Sequence, residues 1–261
     1  MQTCRTPYAR TLAAVAVTLA AILGQPATPA VADTSDTAGT TTVAASTISS
    51  VSPASGLVTG GAVVTIKGAN LTGATAVAID GTPARITTNS ATAVTVVTPA
   101  LPAGRHALSV TTAAGTTTAG THTVKTLESE VLRLVNEARA KKRKCGSTTY
   151  KAVPALRADA TLAKVAAAHS ADMAKKDYFS HYSKNGDSPF DRMKAAGYRY
   201  SSAGENIAAG YRTPSSVVSA WLKSTGHCKN IMKKSYKELG VGYATGGLYG
   251  SYWTQDFGTP R

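Results

Sequence analysis

The sequence predicts two folded domains in series, an antiparallel β-sandwich followed by an α+β domain. Between Ile48 and Val124, short β-branched runs alternate with Gly, Pro and Asn turn signals, and no helical period of useful length interrupts them. From Leu127 onward, apolar residues recur at helical spacing, and the chain ends on β-rich segments separated by two glycines. Each predicted domain is long enough to form its own core.

The N-terminal residues have the composition of an export signal. Arg5 and Arg10 precede an apolar run that is too short to span a bilayer, and an Ala-Val-Ala segment at 30–32 is typical of a cleavage site. We therefore predict a signal peptide over 1–32, no transmembrane segment, and a secreted protein that is extracellular or loosely associated with the cell surface. Residues 33–46 are predicted to be a flexible linker, because they contain too little apolar surface to offset the entropy of ordering.

The predicted β-sandwich, at 47–125, carries no cluster of titratable side chains. His106 and His122 are isolated in the sequence, and Asp80 belongs to an Asp-Gly turn signal. We interpret this domain as a spacer or an adhesive element and not as a chemical site.

Glycines and valines near the start of this domain form an ordered series. The residues are Pro53-x-x-Gly56 and then Gly60-Gly61-x-Val63-Val64-Thr65-Ile66-x-Gly68-x-Asn70-Leu71. The series resembles the IPT/TIG family, and the resemblance implies an all-β, immunoglobulin-like sandwich.

The second domain, at 126–261, begins with helical patterns and ends with strands. Leu127 opens a helical period, Asp159 is a candidate N-cap for a second helix, and Thr213-Pro214 is a candidate start for a third. The segments on either side of Gly246-Gly247 predict a hairpin. Helices followed by a hairpin indicate an α+β domain.

Removal of the predicted signal leaves two cysteines, Cys145 and Cys228. An even pair in an exported protein favours a disulfide bond, which would stabilise the fold by roughly 4–5 kcal/mol in the chain-entropy description. Two free buried thiols are the alternative.

The net charge of +14 is concentrated in the second domain. Between Leu127 and Arg261 there are 22 Lys and Arg against 11 Asp and Glu. For an exported protein this surplus favours a lipid or an anionic cell-envelope polymer as partner, and not nucleic acid. The basic run at 141–144 is interpreted as a solvated helix end that complements the helix dipole, in preference to a binding patch.

A long ordered series of motifs crosses the second domain. It comprises Ala168-His169-Ser170-Ala171-Asp172-Met173-Ala174, Tyr178-Phe179-Ser180-His181, Ser188-Pro189-Phe190-Asp191-Arg192, Gly204-Glu205-Asn206-Ile207-Ala208, Trp221-Leu222-Lys223-Ser224-Thr225-Gly226-His227-Cys228, Gly240-Val241-Gly242-Tyr243 and Tyr252-Trp253-Thr254-Gln255-Asp256-Phe257-Gly258. The series resembles the bacterial branch of the CAP superfamily of cysteine-rich secretory proteins, over residues 127–258. The resemblance implies a three-layer α-β-α sandwich with a small antiparallel sheet and a central cleft.

The resemblance also implies a polar site in that cleft. Members of the family usually place two His and two Glu there, and in some members these residues bind a divalent cation. His181 matches the first His and Glu205 the first Glu. Ser224 and Tyr252 stand where the second Glu and the second His are usual, and His227 supplies another imidazole.

The predicted site has three possible chemistries. His181, Glu205 and His227 are a ligand set suited to a divalent cation such as zinc, although no cofactor is required. The same groups could act as a base and its orienting partner without a metal. Alternatively, Glu205 and Asn206 tie loops together by hydrogen bonds, and the histidines are polar residues of the cleft.

The sequence favours a binding function over catalysis. A binding module would hold a lipid, an acidic cell-envelope polymer or a protein partner. The alternative is a secreted metal-assisted hydrolase or peptidase that uses the same cleft, for which the sequence offers candidate residues (His181, Glu205, His227) but no clear nucleophile. A purely adhesive role would rest on the first domain.

Overall fold

The computed structural model describes residues 43–261. The predicted signal peptide and most of the predicted linker lie outside these residues. At the end of the linker, Ser46 is buried and its hydroxyl lies 2.6 Å from that of Thr117, so this residue is anchored to the first domain. No helix between residues 43 and 261 is long and apolar enough to cross a membrane.

The first domain consists of eight strands. They are β1 (Thr47–Ser52), β2 (Ser55–Leu57), β3 (Val63–Ala69), β4 (Ala76–Ile79), β5 (Thr82–Asn89), β6 (Ala93–Val97), β7 (Gly104–Thr112) and β8 (Gly115–Lys125). Their hydrogen-bonded order is β1-β3-β6-β5-β4-β7-β8-β2. All pairs are antiparallel except β2 with β8.

Strand β5 connects the two halves of this sheet. Its first residues pair with β4 across the predicted Asp80-Gly81 turn, and its later residues pair with β6. The inward-facing side chains alternate along each strand, as they do for Val64 and Ile66, and they form a buried aliphatic core. An all-β domain is therefore confirmed in the part of the chain that resembles IPT/TIG.

The second domain contains five helices and six strands. They are α1 (Leu127–Arg139), β9 (Arg143–Cys145), β10 (Thr148–Tyr150), β11 (Arg157–Ala158), α2 (Ala160–Lys175), α3 (Pro189–Ala195), β12 (Tyr200–Ala209), α4 (Pro214–Lys223), α5 (Thr225–Met232), β13 (Glu238–Thr245) and β14 (Ser251–Pro260). The predicted N-caps are confirmed: Asp159 accepts from the Leu162 amide at 2.8 Å, and Thr213 accepts from the Ser216 amide at 3.2 Å.

The central sheet has the order β11-β13-β14-β12. The predicted hairpin is β13–β14, and β12 adds a further antiparallel strand. The sheet is not purely antiparallel, because the short β11 pairs parallel to β13 before the chain enters α2.

Helices lie on both faces of this sheet. On one face, α1, α4 and α5 share a core with Val241, Trp253 and Phe257. On the other face, α2 lies so close to β13 that a Cβ at Gly240 or Gly242 would collide with its backbone. The two glycines therefore bring α2 down onto the strand.

Two interactions fasten the first of these helical layers. The predicted disulfide between Cys145 and Cys228 is confirmed, with the Cα atoms 5.6 Å apart, and it joins β9 to α5. Arg139, at the end of α1, is fully buried and donates to the carbonyls of Pro154 at 2.8 Å and Ile231 at 2.6 Å.

The interpretation of the basic run at 141–144 as a helix end is wrong. Helix α1 ends at Arg139, where its C-terminal carbonyls are capped by the amides of Ala140 and Lys141. The chain then turns into β9, so that Arg143 and Lys144 lie on a two-stranded hairpin held by the disulfide.

Candidate functional site

A buried carboxylate lies at the centre of the predicted site. Glu205 is in the middle of β12, and its side chain is only 2% exposed. The Nδ1 atom of His181 lies 2.6 Å from one carboxylate oxygen, and the Nη2 atom of Arg192 lies 2.6 Å from the other. A carboxylate can only accept hydrogen bonds, so the His181 ring donates from Nδ1, and its Nε2 atom is the free nitrogen.

Arg192 fixes the loop that carries His181. Besides Glu205, its Nη1 atom donates to the His181 carbonyl at 2.9 Å, the Ser183 hydroxyl at 3.1 Å and the Asp187 carbonyl at 3.1 Å. The guanidinium therefore sets the position of the imidazole and compensates the buried charge of Glu205 at the same time.

A second buried carboxyl group lies behind Glu205. Asp256 is the residue opposite Glu205 in the β12–β14 ladder, and it is fully buried. Within residues 43–261, neither of its carboxyl oxygens accepts a hydrogen bond from a fixed donor. Burial, together with the charge of Glu205, raises the pKa of Asp256 well above its usual value, which favours an acid that can donate to Glu205.

Asn206 connects the sheet to α5. It is fully buried, and its amide donates to the His227 carbonyl at 3.2 Å and to the Gln255 side chain at 3.1 Å. Asn230 in turn donates to the Asn206 side-chain oxygen at 2.9 Å and to the Glu205 carbonyl at 3.2 Å. These bonds place His227 beside the His181–Glu205 pair.

The electrostatics of the site favour a neutral His227. Burial lowers the pKa of His227, and the nearby His181 lowers it further. Ser224, at the junction between α4 and α5, lines the same cavity as this imidazole.

Within the predicted metal set, Glu205 has no carboxylate oxygen that is free of a hydrogen bond to another side chain. Within residues 43–261, no group of three His, Cys, Asp or Glu side chains is arranged as metal ligands. Both oxygens of Glu205 are bonded, one to His181 and the other to a guanidinium, and a cation at this carboxylate would be repelled by Arg192. The residues are arranged instead as a hydrogen-bonded cluster.

Tyr252 is fully buried against Met173, Ala174 and Ile207. It is four residues before Asp256 on β14, so its side chain lies on the same face of the sheet as Asp256 and Glu205. His169 is also a core residue: it is 1% exposed, and its Nε2 atom lies 2.9 Å from the Ser180 carbonyl.

Two cavities follow β12 on the open side of the site. The first, of about 330 Å³, is lined by residues that include His181, Phe190, Glu205, Asn230 and Tyr236. The second, of about 320 Å³, is lined by residues that include Phe179, Ile207, Tyr211, Trp221, His227 and Tyr249. The cleft thus combines a polar cluster with an aromatic pocket.

Sequence reasoning missed the aromatic pocket and the two groups that surround Glu205. The signal for Arg192 was available, because a carboxylate in an apolar strand needs a cation or donors. The signal for Asp256 was its alternation on β14, which places it on the same face of the sheet as Glu205. Phe179 and Tyr249 come from separate loops, and no local pattern links them.

The second domain has a sheet with helices on both faces, a disulfide and a His–Glu–Arg cluster, and a β-rich domain precedes it. This is the two-domain layout of the class that the sequence resembles. Residues 132–257 match the model of the cysteine-rich secretory protein family (CAP), and residues 46–124 match that of the IPT/TIG domain. The C-terminal domain of this chain belongs to the cysteine-rich secretory protein family, and the N-terminal domain is an IPT/TIG domain.

Two relatives of the chain are proteins of Bacillus subtilis. The chain is 44% identical over 142 residues to the uncharacterized protein YkwD of Bacillus subtilis, which covers 54% of this chain and 51% of that protein. It is 36% identical over 132 residues to the uncharacterized membrane protein YlbC of the same organism, covering 51% of this chain and 34% of that protein. The chain therefore spans about half, or less, of the length of these relatives.

Solved structures are also similar to parts of the chain. One is an extracellular protein containing an SCP domain from Bacillus anthracis, with 32% identity and a TM-score of 0.42. The similarity covers 51% of this chain and 40% of that protein.

Proposed function

We propose that the protein acts outside the cell as a binding module, and that the aromatic pocket of its CAP domain holds an apolar group of the ligand, such as the acyl chain of a lipid. The single observation that carries this proposal is the set of exposed aromatic side chains at the pocket. Phe179 is 46% exposed, Tyr249 50% and Tyr211 37%. Exposed apolar side chains that cluster around a concavity are typical of a binding surface.

The geometry of the pocket supports an apolar occupant. The rings of Phe179 and Tyr249 lie with their centroids 6.1 Å apart, and Tyr249 packs edge-on against Tyr252 at 5.9 Å. The inner wall is formed by Ile207 and Trp221, whose indole nitrogen already donates to the Ile207 carbonyl at 3.1 Å. The wall therefore offers apolar surface and few free polar groups.

The polar end of the pocket suits a neutral head group. His227 and Ser224 can each donate or accept a hydrogen bond there. The charge of Glu205 is already compensated by Arg192, so the neighbouring cluster offers no free carboxylate to attract a cation.

The test is a titration of the full chain with a fluorescent fatty acid. We expect the Phe179→Ala, Tyr249→Ala double variant to bind at least about tenfold more weakly, because each ring supplies apolar contact area that the ligand would lose. Phe190→Ala is the matched control, since this ring is also exposed but lines the other cavity. Equal affinity of the double variant and the wild type would contradict the proposal.

A second candidate function, hydrolysis, has one specific observation in its favour. The His181 imidazole has a carboxylate on Nδ1 and a free Nε2, which is the arrangement of a general base. If the protein is a hydrolase, activity on ester or peptide substrates should be lost in both His181→Gln and Glu205→Gln. Activity that survives His181→Gln would exclude this role for the imidazole.

A further inference from the structure

The CAP domain has a groove that shares no lining residue with the two cavities of the candidate site. It lies between α1 and α4, has a volume of about 390 Å³, and we call it the basic groove. Its apolar floor is formed by Leu134, Ala138, Val218 and Leu222. Its cationic rim is formed by Lys141, Arg143 and Lys223. The floor residues repeat every four positions along each helix, so the groove runs between two matched helix faces.

The cations of this groove are free of acidic partners. Among residues 43–261, none of Lys141, Arg143 and Lys223 forms an ion pair. Glu137 also lines the groove, but its carboxylate is paired with Arg133 on the same helix. The groove therefore presents a surplus of positive charge.

Arg143 gives the groove a donor that the protein does not use. Its side chain is partly buried, and in the described part of the chain its enclosed Nε atom has no hydrogen-bond partner. Because Nε is enclosed, a ligand in the groove would contact the other nitrogens of the guanidinium.

The hairpin that carries Arg143 is held in place. Strand β9 pairs with β10, and the neighbouring Cys145 is bonded to Cys228 in α5. Little conformational entropy is therefore lost when Arg143 binds an anion.

The shape of the surface favours a chain in the groove over a lipid bilayer. The large apolar side chains that are strongly exposed in residues 43–261 do not include any residue of the basic groove. A bilayer surface needs projecting apolar side chains to insert, whereas a groove with an apolar floor and three cations can enclose a flexible polyanion.

We propose that the basic groove is a binding site for an anionic polymer whose repeating phosphate groups contact Lys141, Arg143 and Lys223. The guanidinium binds phosphate oxygens in a bidentate manner, and the two ammonium groups supply further charge. This site is separate from the aromatic pocket, and the proposal does not depend on what the pocket binds.

The test measures binding of the full chain to fluorescently labelled inorganic polyphosphate at low and moderate salt. We expect the triple variant Lys141→Gln, Arg143→Gln, Lys223→Gln to bind about tenfold or more weakly than the wild type. We also expect its binding to depend less steeply on salt concentration. Because Arg143 is partly buried, a second variant, Lys141→Glu, Lys223→Glu, changes exposed residues alone and should weaken binding at least as much.

The control removes the same charge elsewhere. Lys164, Lys175 and Lys237 are exposed and lie outside the basic groove, and their triple Gln variant should bind nearly as well as the wild type. Equal loss in the groove and control variants would mean that attraction is diffuse, and would overturn the proposal. The proposal would also be overturned if the protein bound phosphatidylglycerol vesicles but not polyphosphate, and the groove variants abolished this binding. The partner would then be a membrane.

Discussion

The two domains bury different kinds of side chain. The IPT/TIG core is aliphatic, and His122 is the one ionisable side chain within 43–125 that is almost fully enclosed. The CAP domain buries Arg139, His169, Glu205 and Asp256. Because burial of a charge is costly unless it is compensated, the comparison locates the chemistry of the molecule in its second domain.

The largest expected effect comes from the most buried cation. Arg139→Leu should lower the free energy of unfolding of the CAP domain by about 3–5 kcal/mol, because the carbonyls of Pro154, Ile231 and Lys233 lose their donor. Both tryptophans, Trp221 and Trp253, belong to the CAP core, so their fluorescence during urea unfolding reports on this domain.

Arg133 provides the control on the same helix. It is 41% exposed and pairs with Glu130 and Glu137 at the surface, so Arg133→Leu should cost less than about 1 kcal/mol. Similar losses of unfolding free energy in the two variants would show that the buried Arg139 contributes no more to stability than the exposed Arg133. Burial of charge would then not distinguish the CAP domain from the first domain.

The next effect separates the two buried carboxyl groups. Glu205→Gln should destabilise the CAP domain by about 2–4 kcal/mol, because it leaves Arg192 without its counter-charge. Asp256→Asn should instead be neutral or stabilising at pH 7, because the amide donates to Glu205 without the cost of a second buried carboxylate.

The pH dependence gives the sign of the Asp256 contribution. Its folded pKa is raised, so above the unfolded value of about 4 the unfolded chain releases a proton that the folded chain keeps. The stability of the wild type therefore decreases as the pH rises from about 4 towards the folded pKa. Urea midpoints of Asp256→Asn should change less across this range, and parallel curves for the two proteins would contradict a raised pKa.

The sequence predicted three of the five helices in the second domain, and the hairpin, because their signals are local. The N-caps Asp159 and Thr213 mark their helices within a few residues, and the alternation on β13 and β14 identifies the hairpin. The basic run at 141–144 was misassigned because positive charge after a helix is compatible with both a frayed end and a new strand. The disulfide that decides between them is a contact across 83 residues.

The site was predicted only in part for the same reason. His181, Glu205 and His227 were found by family resemblance, and the structure brings them close together. Their partners were not found, because Arg192 lies on helix α3, which was not predicted, and Asp256 meets Glu205 through the pairing of two strands that are distant in sequence. Without those partners, the sequence left open metal ligation, acid–base chemistry and a hydrogen-bonded tie between loops, and the arrangement favours the last of these.

The smallest expected effect concerns His122, the enclosed ionisable side chain of the first domain. His122 is fully buried, and burial, together with the nearby His106, lowers its pKa. The unfolded chain therefore binds a proton below about pH 6.5 that the folded domain excludes, and stability should fall as the pH drops through this range. His122→Leu should raise the stability of the first domain by about 1 kcal/mol near pH 6, with a larger advantage at lower pH.

The residue opposite His122 in the β7–β8 ladder should behave in the opposite way. His106 donates towards the Pro102 carbonyl and Asp80, which raise its pKa, so its contribution is present at low pH and is lost as the pH rises through the folded pKa. Hydrogen exchange of β7 and β8 amides, corrected for intrinsic rates, measures both variants in the full chain. His106→Gln should lose protection mainly at low pH, where His122→Leu gains it. If both variants shift protection in the same direction at every pH, the two histidines do not differ in their environment. Burial of His122 is then not the cause of the pH dependence of stability in this domain.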